Sequence, residues 1–136
     1  MRSKATLALL PLLLLFVFVV TAEQKVAATA AKPKLMIESL EHSFGIVKPG
    51  TPLTYTFTVA NKGDANLEIA NVAPSCGCTT SNFDKVVAPG KTGGITLAIE
   101  KTENYKGEIV KTATVTTNDA EHQSFTLTLR ANFKAE

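Results

Sequence analysis

The stretch LTYTFTVAN, residues 53–61, alternates without a break: Leu53, Tyr55, Phe57 and Val59 hold one parity, Thr54, Thr56 and Thr58 the other. Successive side chains of a strand point to opposite faces, so this period of two describes a strand with one face buried and one wet. The same pattern recurs downstream. FTLTLRANF (125–133) places Phe125, Leu127, Leu129, Ala131 and Phe133 inward, and ITLAI (95–99) does so with Ile95, Leu97 and Ile99. IVKTATVTT (109–117) is weaker, because Lys111 shares parity with Ile109, Ala113 and Val115, which predicts a stem reaching a sheet edge. KPGTP (48–52), NKGDAN (61–66), APGKTGG (88–94) and NDAEH (118–122) lie between such runs and read as turns.

Strand runs at this spacing, with no helical stretch between them, predict an all-β, antiparallel β-sandwich of about seven strands. Expected strands are 35–41, 53–61, 66–73, 78–83, 93–101, 108–118 and 122–133. Parity puts Leu53, Tyr55, Phe57, Val59, Leu67, Ile69, Ile95, Leu97, Ile99, Val115, Leu127 and Leu129 in one core, with Phe44 closing its end. Gly50, Gly63 and Gly90 are expected at turns requiring positive φ. The antibody-type core is excluded: there is no Trp, and the two cysteines are too close in sequence to join two sheets.

The N-terminus reads as a secretory signal over residues 1–22. Arg2 and Lys4 precede an apolar run from Leu7 to Val20, and Val20 and Ala22 are the small residues before a cut between Ala22 and Glu23. A membrane-spanning helix needs about 20 apolar residues. This run is shorter and contains Pro11, so no membrane span is expected once the signal is removed. EQKVAATAAKPK (23–34) has no repeating apolar face and reads as a short flexible leader before a single domain at 35–134. The whole chain carries 14 basic and 12 acidic residues. Loss of Arg2 and Lys4 leaves 12 against 12, without the basic cluster that nucleic-acid binding needs.

An ordered series of motifs resembles the bacterial family of unknown function DUF1573. Phe44, Gly45, Val47 and Gly50 open it. Phe57, Asn61 and Gly63, then Leu67 and Ile69, then Ser75 to Thr79 (SCGCT) follow. Pro89, Gly90 and Gly93, then Gly107, Val115 and Asn118 complete it. The family's aromatic-and-proline stretch after the cysteines is replaced here by SNFDKVVAPG (81–90). The resemblance implies an immunoglobulin-like sandwich, akin to major-sperm-protein-like modules of ciliary proteins. It implies an exported location, in the periplasm or outside the cell, and it implies no activity.

Other motifs are excluded or left open. PGKTGG (89–94) is the tail of a phosphate-binding loop, but Lys85 stands where the first glycine is required and no helix follows. No nucleophile elbow and no His-x-x-x-His pair occurs, so no catalytic set is expected. His42 and His122 each neighbour a charged residue near a predicted strand end and read as solvated.

Cys76 and Cys78 admit four readings. They form a local disulfide, whose three-residue loop restricts the unfolded chain by only about 1.6 kcal/mol. They supply half of a copper or zinc site, with His42 or His122 as further candidates. They form a redox or intermolecular thiol pair. Or they are two buried thiols. The functional expectation is a non-enzymatic module without a cofactor, binding a protein or envelope component through a sheet edge or loop end. The alternative is metal handling (copper or zinc) or thiol redox chemistry centred on the cysteine pair.

Overall fold

The structure is a computed structural model that describes residues 30–135. The expected signal, its Ala22–Glu23 cleavage point and the first part of the leader lie outside the described residues. Nine strands are seen among the described residues: β1 (Leu35–Ile37), β2 (Glu41–Val47), β3 (Leu53–Asn61), β4 (Leu67–Pro74), β5 (Thr79–Phe83), β6 (Val86–Val87), β7 (Thr92–Ile99), β8 (Gly107–Thr117) and β9 (Ser124–Phe133). They form a four-stranded sheet in the order β1-β3-β7-β5 and a five-stranded sheet in the order β2-β9-β8-β4-β6. The fold is the all-β sandwich that the alternation predicts, with the immunoglobulin-like form that the family resemblance implies. Among the described residues no helix is long and apolar enough to cross a membrane.

The register follows from parity. In the β3–β7 pair, Leu53 faces Ile99, Tyr55 faces Leu97 and Phe57 faces Ile95, so the inward residues of neighbouring strands stand side by side. Leu67, Ile69, Ile95, Leu97, Ile99, Val115, Leu127 and Leu129 are almost wholly excluded from water. Each such side chain contributes about 1.5–3 kcal/mol through removal of apolar surface from solvent. Tyr55 and Phe44, both assigned inward from sequence, are partly buried against this core. In β4 the register shifts between Ile69 and Asn71. Ala70 and Asn71 both face solvent there, and Val72 is thereby turned back into the core.

Two expectations are corrected and one is met. The strand expected over 35–41 ends at Ile37: β1 pairs antiparallel with β3, and the chain then crosses to the other sheet, where β2, a strand not expected over 41–47, pairs parallel with β9. The sandwich is therefore antiparallel except at this one pair. Lys111 meets its expectation: it lies where β8 runs past the end of β4 and is flanked by β9 alone, and its ammonium sits 4.9 Å over the Tyr105 ring, a cation–π contact. Gly50 and Gly90 have the expected positive φ, but Gly63 does not. A Cβ at Gly63 would collide with the backbone of Lys32, Pro33 and Lys34. Glycine is needed there for close approach of two chain segments.

That approach bears on the segment expected as a leader over 23–34. Its described part, residues 30–34, has no regular secondary structure. It is nonetheless hydrogen-bonded to the turn after β3: Lys62 N–H donates to the Lys34 carbonyl (2.8 Å) and Asp64 N–H to the Lys32 carbonyl (2.9 Å).

Candidate functional site

Cys76 and Cys78 occupy the turn that carries the chain from β4 in one sheet to β5 in the other. A disulfide joins them, with their Cα atoms 5.4 Å apart. Both are half-buried and Gly77 between them is exposed. The flanks of the turn are tied independently of the sulfurs: Ser75 N–H donates to the Thr112 carbonyl (2.8 Å) and Thr79 N–H to the Cys76 carbonyl (3.3 Å). Thr79 is buried, and its hydroxyl lies 3.8 Å from Cys76 Sγ.

The two histidines are elsewhere. His42 is on β2, beside Leu129 of β9. It is not solvated as expected: its ring is half-buried and stacks on Tyr55 of β3, centroids 3.6 Å apart and planes within 8°. Phe44 meets it edge-on at 4.7 Å. The alternation of His42 and Phe44 along β2 aims both rings between the sheets, where aromatic pairs are favourable. His122 lies in the β8–β9 turn with its side chain 44% exposed, and its Nδ1 is 3.0 Å from Asp119 Oδ2. Neither histidine shares a turn or a strand pair with the cysteines. Among the described residues no group of three or more His, Cys, Asp or Glu side chains is placed to hold a metal ion.

At the sandwich end opposite the disulfide sit two buried polar side chains, Asn61 (0% exposed) and Asp119 (3%). Asn61 uses its whole hydrogen-bonding capacity. Its Oδ1 accepts from Lys34 N–H (3.2 Å) and Gly63 N–H (3.0 Å), and its Nδ2 donates to the Ala65 (2.7 Å) and Val87 (2.9 Å) carbonyls. Asp119 accepts from Leu35 N–H (2.8 Å) and Glu121 N–H (3.0 Å). Burial pushes its carboxyl pKa upward, but the two backbone N–H groups and His122 outweigh this and hold it below the ordinary carboxylate value. Turn chemistry accounts for Asn61 only in part. Asp119 escaped the sequence reading, although it and Thr117 continue the inward parity of Ala113 and Val115, just as Asn61 continues that of Val59.

The hydrogen-bond alternation also decides which sheet edges are open. On β1 the outward N–H of Leu35 is taken by Asp119, and the strand is only three residues long. On β2, the Ser39 hydroxyl donates to the Glu41 carbonyl (2.7 Å) and accepts from Glu41 N–H (3.2 Å). Further along, Gly45 N–H donates to Ser43 Oγ (3.4 Å), and Gly45 itself, at φ +71°, sits within a register shift. Such bulges blunt an edge. β6 has two residues.

β5 differs. Asp84 N–H donates to the Gly94 carbonyl (3.1 Å). Alternation from that bond points Asn82 and Thr80 toward β7 and the backbone groups of Ser81 and Phe83 away from it. Among the described residues, no hydrogen bond from protein occupies those outward groups. The Ser81 side chain turns aside to donate to the Val72 carbonyl (3.2 Å).

Residues 35–133 match the family described as "Protein of unknown function (DUF1573)". No curated protein matches the chain. Solved structures share its fold. One is a protein of unknown function from Porphyromonas gingivalis (TM-score 0.62, 18% identity, 75% of this chain and 46% of that one). Another is a PapD-like domain of human CEP192 (TM-score 0.51, 11% identity, 77% and 87%). A third is the Escherichia coli chaperone DraB (TM-score 0.51, 10% identity, 75% and 55%). The chain thus spans less than half the length of the Porphyromonas protein.

Proposed function

The chain belongs to the DUF1573 family, and from that premise we propose that it is an exported, non-enzymatic module that holds an extended segment of an envelope protein by adding it as a strand beside β5. The observation that carries this reading is the contrast among edges. Side-chain hydroxyls, a carboxylate, a bulge and short strand length blunt β1, β2 and β6, while Ser81 and Phe83 present backbone donors and acceptors outward. Main-chain hydrogen bonds supply the affinity of such an arrangement, and the side chains beside them the selectivity. A chaperone among the fold neighbours agrees with binding of protein. Asp119 and His122, the one close acid–histidine pair described, are engaged in holding β1 and the β8–β9 turn. Export, with removal of residues 1–22, rests on the charged start, the apolar run and the small residues before Glu23.

Site-specific photo-crosslinking in the native envelope tests the reading. A crosslinker at Thr80, exposed on β5, captures a discrete partner, and one at Ser43 on the capped β2 edge does not. Ser81→Pro deletes an outward N–H without removing a bond to β7. It abolishes the Thr80 adduct while leaving the far-UV spectrum unchanged. Equal capture at both edges, or capture that survives Ser81→Pro, excludes strand addition at β5. The intact mass of protein from the same preparation reports whether residues 1–22 are gone.

A further inference from the structure

We propose that the Cys76–Cys78 disulfide is a thiol–disulfide exchange site that oxidises an external dithiol. Three observations meet at the turn, and none depends on how β5 is used. The ring closes over a sequence separation of two. Opening it therefore releases almost no chain entropy, and the fold is nearly indifferent to the oxidation state of the pair. The turn is also held without the sulfurs: Ser75 and Thr112 bond reciprocally (2.8 and 3.4 Å), Pro74 pairs with Ala113, and Thr79 pairs with Ile99. Two thiols released by reduction therefore remain side by side, ready to be closed again. Finally, the site is reachable. Gly77 is exposed, and an added Cβ there would meet nothing within 4 Å.

Thr79 gives the exchange a direction. Its hydroxyl is 3.8 Å from Cys76 Sγ, placed to donate to that sulfur as it takes up negative charge. The thiolate of the dithiol attacks Cys78 Sγ, the Cys76–Cys78 bond breaks, and Cys76 leaves as the thiolate. The dithiol's second thiolate then attacks its own sulfur within the mixed disulfide and expels Cys78. Two electrons and two protons pass to Cys76 and Cys78, which end as thiols, and the dithiol ends as a disulfide. No further co-reactant enters the balance.

The test uses the folded protein. Dithiothreitol is the probe, alkylation followed by intact mass gives the oxidation state, and circular dichroism follows the sandwich. The expected result is complete reduction in the native state with an unchanged β spectrum. In glutathione buffers, the reduction equilibrium of the native protein lies within about twentyfold of that of the urea-unfolded chain, the limit set by so short a loop. A disulfide that resists reduction until the protein unfolds overturns the proposal. Cys76→Ser leaves Cys78 to form a mixed disulfide with oxidised glutathione, and no adduct on the folded variant also overturns it. Thr79→Val slows reduction by about two- to tenfold, the worth of one hydrogen bond, and Thr79→Ser restores the rate. Equal rates for all three proteins remove Thr79 and the assignment of Cys76 as leaving group. A two-cysteine peptide reacting faster than dithiothreitol makes the substrate a polypeptide, and equal rates make it a small dithiol.

Discussion

The two ends of the sandwich are closed in opposite ways. At one end, Asn61 and Asp119 make hydrogen bonds that join segments up to 84 residues apart: the start of β1 and the residue before it, the turn after β3, the end of β6 and the β8–β9 turn. At the other, a covalent bond joins residues two apart. The weaker kind of bond does more for the fold, because what a link contributes depends on the chain it organises. Four hydrogen bonds to one buried amide fix the path of three segments. The disulfide fixes a turn that backbone bonds already hold.

The largest expected effect is therefore at Asn61. Asn61→Ala leaves two part-buried N–H groups and two carbonyls, one of them buried, without their partner and should cost about 3–5 kcal/mol in urea unfolding. A loss below about 1 kcal/mol would reverse the ranking of the two ends.

Asp119→Asn comes next, at about 1–3 kcal/mol near neutral pH, since it weakens the bonds from Leu35, Glu121 and His122. This loss carries a sign that sharpens the comparison. The folded pKa lies below the unfolded one. The stabilisation is therefore present in full above about pH 4, the unfolded carboxyl value, and is lost as pH falls through the folded value. Wild type and variant should converge on acidification, and a constant gap at every pH would mean that charge plays no part.

Joint replacement of Cys76 and Cys78 by serine should lower stability by no more than about 1.6 kcal/mol, the loop-entropy limit for three residues. Differential scanning calorimetry decides it: a drop that exceeds the Asn61→Ala loss would make the covalent end the anchor. The smallest effect is expected at Gly77→Ala. With open space around the position and no positive φ, the change should stay within about 0.5 kcal/mol.

The alternating strands were legible because parity is a local property. β3, β7 and β9 and all twelve expected core residues came from runs of five to nine residues, and each of the twelve is buried in the core or packed against it. The passage from β1 to β2 was not legible. Ser39 and Leu40 carry the chain between sheets, and Gly45 interrupts the alternation of His42 and Phe44 that would have marked a second strand. Parallel pairing with β9 leaves no local trace, because its partner lies more than 80 residues on. Asn61 and Asp119 did leave one: each is a polar residue continuing a strand's inward parity, Asn61 at the last position of β3 and Asp119 two residues past β8. A buried amide or carboxylate must be satisfied, so such a position is a request for distant backbone partners. Which partners answer is known only once the chain is folded. The cysteine pair is visible at once, and compartment and spacing favour a local disulfide among its four readings, but spacing alone does not say what surrounds a thiol.

The capping of edges also sets how many neighbours a molecule can accept. A sandwich with an open edge on each sheet can add copies in both directions, and such growth has no natural stop. Here Ser39, Ser43 and Asp119 engage outward groups of the two strands nearest the N-terminus of the domain, and within the described four-stranded sheet Ser81 and Phe83 of the opposite edge, β5, keep theirs free. Pairing through the four-stranded sheet therefore has one open side. Two copies meeting β5 to β5 across a two-fold axis would exhaust it, and a molecule carrying a borrowed strand would have none left. Three small side chains thus make the difference between a module that terminates an association and one that propagates it.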